Sequence, residues 1–150
     1  MRYINIQKHK SSCGPIAVIN AIKWLGGKLS YKYLDMFEAF GWTKKGMDTK
    51  QMMLILDTFG VEYHVIFNPS TRFIENSLSK GNAAILMFRW FLPNKNCDHA
   101  TFVYKNHRSW LDASNTIPCG FTILPKKILT KFLNTSRRKG FPSIMVEILG

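Results

Sequence analysis

A thiol, an imidazole and a carboxylate occur in an order that suits covalent chemistry on a carbonyl. Cys13 ends the run Gln7-Lys8-His9-Lys10-Ser11-Ser12 and is followed by Gly14-Pro15, and Asp98-His99 and Leu111-Asp112 recur far downstream. A cysteine attacks as its thiolate, and the N–H groups and dipole at a helix N-terminus stabilise that negative charge. The spacing predicts such a helix opening at Cys13. Pro15 suits its first turn, Val18, Ala21, Ile22 and Leu25 repeat at i, i+3, i+4 and i+7 as on an amphipathic helix, and Gly26-Gly27 closes it.

Gln7 lies on the stretch leading into that helix, where its amide can face the space before the sulfur. Together with the backbone N–H of Cys13 it would supply the two donors that a tetrahedral oxyanion needs. His99 is expected at the mouth of a strand, delivered by a loop from Phe91 to Cys97 and followed by Ala100-Thr101-Phe102-Val103-Tyr104. Ser109-Trp110-Leu111-Asp112 is expected to run back beside it. A two-residue turn at Lys105-Asn106 would set Asp112 directly opposite His99, and one at Asn106-His107 would make them diagonal neighbours. A three-residue turn would pair His99 with Ala113 and send Asp112 to the other face, leaving Asn115 as the reserve orienting residue.

The elements that must position these groups follow from periodicity. Ser30 caps an expected second helix carrying Tyr33, Leu34, Phe37 and Phe40 and ending at Gly41. Asp48 and Gln51 form a capping-box start to a third, lined by Met52, Ile55, Leu56 and Phe59 and stopped at Gly60. Val61 to Phe67 alternates as a half-buried strand, Ser70 to Lys80 reads as a short helix, and Ala83 to Trp90 reads as a central strand. Phe121 to Leu124 and Ile144 to Leu149 supply further strands around a helix from Pro125 to Asn134 that buries Ile128, Leu129, Phe132 and Leu133. Helices dominate the first half and strands the second. The expectation is an α+β fold over 1–150 as one domain, an N-terminal helical layer packed on a C-terminal antiparallel sheet with one cleft between them.

Composition bounds the setting. With 46% hydrophobic residues, 150 residues build one core without covalent staples. Cys13, Cys97 and Cys119 cannot all pair, which favours a reducing compartment, and no apolar segment reads as a signal peptide or membrane span, so a cytoplasmic protein is expected. Close ligand pairs of the Cys-x2-Cys kind are missing, so neither zinc nor another cofactor is expected. A net charge of +12 attracts acidic proteins, nucleic acid or anionic lipid, although no nucleic-acid fold signature accompanies it. Lys126, Lys127, Lys131, Arg137, Arg138 and Lys139 concentrate the charge and read first as a solvated helix face and basic loop. His9, His64 and His107 default to surface or structural roles.

These residues carry a resemblance to the papain-like, bacteriocin-processing cysteine peptidases that cut after a double glycine, and to their stand-alone relatives. It rests on Gln7 with Cys13-Gly14-Pro15, on Gly46-Met47-Asp48-Thr49, on Phe59-Gly60-Val61-Glu62-Tyr63, and on His99 with Trp110-Leu111-Asp112, spanning 5–133. The resemblance implies a papain-like fold and a cysteine peptidase acting on a peptide or protein, with Cys13 as nucleophile, His99 as base and acid, Asp112 as its orienting partner and Gln7 as oxyanion donor. The best-known relatives are domains of exporting ATPases, and this chain has neither a spanning segment nor a phosphate-binding Gly-rich loop. The relatives' acid is usually followed by proline, where this chain has Ala113. The same apparatus serves a deamidase, an acyltransferase or a peptide ligase, since the second nucleophile decides the product. The alternative outside enzymes is a non-catalytic basic domain that captures an acidic protein or nucleic acid.

Overall fold

The computed structural model describes residues 13–26, 47–92, 95–105, 112–113 and 126–150. The expected second helix over 30–41, the strand over 121–124, and Gln7 and Asn115 lie outside the described residues. The described elements in chain order are α1 (Cys13–Trp24), α2 (Thr49–Thr58), β1 (Tyr63–Phe67), α3 (Thr71–Ser79), β2 (Ala83–Leu92), β3 (Lys95–Tyr104), β4 (Asp112–Ala113), α4 (Lys126–Arg138) and β5 (Ile144–Ile148).

Local chemistry accounts for the helix starts. Asp48 Oδ1 accepts the Gln51 backbone N–H at 2.8 Å, and Gln51 Oε1 accepts that of Asp48 at 2.9 Å, so each caps a donor the helix cannot use. Ser70 Oγ does the same for Phe73 N–H at 3.0 Å. α2 ends where the backbone turns left-handed at Gly60, φ +67°, a conformation a Cβ would penalise.

The strands form one antiparallel sheet in the order β1-β5-β2-β3-β4 among the described residues. Alternation along each strand divides its side chains between two cores. Ala83, Ile85, Ala100, Phe102, Tyr104, Val146 and Ile148 pack with α1 and with Met52, Ile55 and Leu56 of α2. Ala84, Leu86, Phe88, Val103 and Met145 pack on the opposite face with Ile74 and Leu78 of α3 and Leu133 of α4. The arrangement is therefore helix, sheet, helix rather than the expected two layers. A sheet that is apolar on both faces must be covered twice.

Two further expectations are corrected by packing. α1 is not amphipathic in place. Residues Gly14 to Ile22 are all buried, because the sheet lies on one side of the helix and α2 on another. Leu25, predicted to share the inward stripe, is 40% exposed where the helix ends. α4 extends to Arg138, one turn beyond the predicted stop at Asn134. The turn continues because Ser136 points inward, donating from Oγ to the Phe141 carbonyl at 2.8 Å.

Candidate functional site

Cys13 heads α1 as expected, half-buried against the first core. Its neighbour Gly14 is required by a close approach. A Cβ built there would lie 3.0 Å from Met47 Cβ, so the chain entering α2 crosses directly over the start of α1. Two residues on, Thr49 Oγ1 donates to Met87 Sδ at 3.7 Å, and Met87 pairs with Ala100 across β2 and β3. A run of contacts thus connects the Cys13-Gly14 end of α1, through Met47 and Thr49, to Ala100, which packs in the first core. Phe88, the register partner of His99, packs in the second, so the expected approach of Cys13 and His99 across one cleft does not follow from the register. At the opposite end of α1, the Trp24 ring lies 6.4 Å from that of Phe102, which orients the helix along the sheet.

His99 and Asp112 are placed by backbone register. His99 is not at a strand mouth. β2 continues to Leu92 and β3 begins at Lys95, with Leu92 paired to Lys95, so the expected loop over Phe91 to Cys97 is mostly ladder and His99 lies inside the strand opposite Phe88. The predicted tight turn is also corrected. Tyr104 pairs with Asp112 and Val103 with Ala113, with positions 105–111 connecting them. Asp112 is therefore the partner of Tyr104 and not the direct or diagonal neighbour of His99. Five residues at about 3.3 Å each separate the two along β3, about 17 Å. The register partners also belong to different rows of the pleat, since Phe88 packs in the second core and Tyr104 in the first.

One polar cluster was not anticipated. Glu147 of β5 is buried, accepts from Ser77 Oγ of α3 through Oε2, and meets His64 Nδ1 of β1 through Oε1 at 3.1 Å. His64 thus has the structural role assigned to it by default. A carboxylate inside the apolar run Ile144-Met145-Val146-Glu147-Ile148 was the available signal, since an acid in a central strand needs partners. The arrangement is structural. The serine donates to the carboxylate rather than to the imidazole, so the hydroxyl is not paired with a base.

Among the described residues no helix is long and apolar enough to cross a membrane. Compared with known proteins, the chain matches no family model and no curated protein, so its site is read from its own residues.

Proposed function

We propose that the protein is a papain-like cysteine peptidase of a reducing, cytoplasmic setting, with Cys13 as nucleophile and His99 as general base. The observation that supports this reading is Cys13 at the first residue of α1, half-buried, where the helix N-terminus favours a thiolate. In this mechanism the Cys13 thiolate attacks a peptide carbonyl, and the oxyanion is held by its own backbone N–H and the Gln7 amide. His99 protonates the leaving amine and then activates the water that releases the thioester. The register sets Asp112 about 17 Å along β3 from His99, so Asn115 stands in the proposal as the orienting residue in its place. The substrate is a peptide or protein, and a basic domain favours an acidic one. Deamidation and acyl transfer share every step up to the second nucleophile.

The test is mild alkylation of the native protein with iodoacetamide near neutral pH, followed by mass-spectrometric mapping. Labelling of Cys13 ahead of Cys97 and Cys119, slowed at least tenfold in His99→Ala, is expected. Equal labelling of the three thiols, or indifference to His99, removes the enzyme reading. Peptide turnover is then expected to fall in Asn115→Ala and to persist in Asp112→Ala.

A second reading, the non-catalytic basic domain, is favoured by the register that sets positions 99 and 112 about 17 Å apart along β3. It gains the field if alkylation finds no preferred thiol.

A further inference from the structure

α4 runs from Lys126 to Arg138 without an acid, and its inward side is marked by Leu133 and Ser136, both buried. On its outward side Lys131, Asn134, Arg137 and Arg138 are exposed and line a hollow of about 430 Å³. At about 3.6 residues per turn, the four positions fall within about a third of the helix circumference, so their side chains are neighbours. The volume lies inside the range of small-molecule sites, about 300–1,000 Å³.

The charges that line this hollow have no counter-charge among the described residues. The side chains of Lys131 and Asn134 make no hydrogen bond or ion pair there. Arg138 reaches only the Thr135 hydroxyl on its own helix, at 3.4 Å. Arg137 is fixed by its Nη2, which donates to the carbonyls of Asn68 at 3.2 Å and Pro69 at 3.4 Å, while its Nε and Nη1 bind nothing among the described residues. Like charges gathered on one arc of a helix repel, and an anion between them relieves that repulsion. Because Arg137 is already held in place, less side-chain freedom is lost when a ligand arrives. The negative end of the helix dipole opposes an anion here, but it amounts to about half a charge against the full charges of Arg137 and Arg138.

Three cations and an amide offer more N–H donors than the two oxygens of a carboxylate can accept. Phosphate suits them better, since it has more oxygens and two guanidinium forks match its geometry. Lys131 and Arg138 stand seven residues apart, about 10 Å along the axis at about 1.5 Å per residue, so phosphates linked in a row span the set better than one alone. We propose that the α4 hollow is a binding site for a small soluble anion carrying two or more linked phosphates. Arg137 and Arg138 hold the phosphate toward the C-terminal end of the helix, Lys131 holds the one toward the N-terminal end, and Asn134 donates its amide between them. α4 packs on the second core and Cys13 on the first, so the site stands whether or not the thiol is catalytic.

The test is isothermal titration calorimetry at low ionic strength with pyrophosphate as the probe. One saturable site per chain is expected, with orthophosphate weaker and Cys13→Ala unchanged. Lys131→Gln and Arg138→Gln should each weaken binding at least about fivefold. Lys50→Gln removes the same charge from α2, on the opposite face of the sheet, and should stay within about twofold. Lys131, Arg138 and Lys50 are all exposed, and far-UV circular dichroism confirms that the variants fold. Absence of saturable binding overturns the proposal, and so does a loss in Lys50→Gln equal to the other two, which is the mark of net charge alone. Equal affinity for citrate, of similar charge at neutral pH, overturns the preference for phosphate, and equal affinity for orthophosphate overturns the linked row. Tighter binding to phosphatidic acid vesicles or to an oligonucleotide, lost in Lys131→Gln and Arg138→Gln, overturns the soluble ligand.

Discussion

Replacing Ser77 with alanine should destabilise the fold more than replacing His64, although both side chains hold the same carboxylate. Glu147 lies in β5 between β1 and β2 and is only 9% exposed, and Ser77, at 4%, donates to it from α3. A buried hydrogen bond to a charged acceptor contributes about 1.5–3 kcal/mol. Alanine recovers up to about 0.5 kcal/mol of helix propensity over serine, so the net loss expected for Ser77→Ala is about 1–2.5 kcal/mol. The His64 side chain is 66% exposed, and its ion pair with Glu147 at 3.1 Å works against water and salt. Such exposed pairs contribute about 0–1 kcal/mol. Urea unfolding at neutral pH reads both, and in a chain of this size the Ser77 loss corresponds to a fall in Tm of roughly 3–8 °C. A double-mutant cycle with Glu147→Gln isolates each link and should give a coupling of about 1 kcal/mol or more for Ser77 but less for His64. If His64→Ala costs more than Ser77→Ala, burial does not decide between these partners and the reasoning fails.

Two further outcomes follow from single contacts. Asp48→Ala removes the acceptor for the Gln51 N–H and should cost about 1 kcal/mol in a guanidinium melt, with Gln51→Ala costing less because the Asp48 cap survives. The Tyr63 phenol is held above its ordinary value of 10.0 by burial first, then by its hydrogen bond to Asp57 and that carboxylate's charge. The folded state thus grips this proton more tightly than the unfolded chain. Its contribution to stability is complete below the unfolded value and is lost as pH rises past it. Ultraviolet titration should show one phenol ionising late, absent in Tyr63→Phe and shifted down in Asp57→Asn.

Local signals were legible in the sequence wherever one residue determines one geometry. Asp48 with Gln51 and Ser70 before α3 fold as their chemistry dictates, and the alternation from Val61 gives a strand over Tyr63–Phe67, although Phe67, read as half-buried, is 65% exposed at its end. Long-range geometry was less legible. Phe91 to Cys97 read as a loop, yet Phe91 pairs with Asn96 and Trp90 with Cys97, because cross-strand pairing rather than the preference of each residue decides where a ladder stops. The stripe of Val18, Ala21 and Ile22 predicted α1 but could not reveal that its remaining sides are also covered, since periodicity reports one face only. The helix start at Cys13 was legible because it is a local feature. The relation of Asp112 to His99 depended on loop length, and at period two a shift of a single residue changes the row.

The place of β5 in the sheet has a consequence for how the chain is made. This strand, at 144–148, is inserted between β1 and β2, whose residues were synthesised some eighty and sixty positions earlier. Until it arrives, a growing polypeptide on the ribosome presents β1 alone and the β2–β3 hairpin with an open border, each ready to pair with a stranger. Contacts this distant in sequence make folding slow, and the waiting intermediate is the species that a holding chaperone would have to shield.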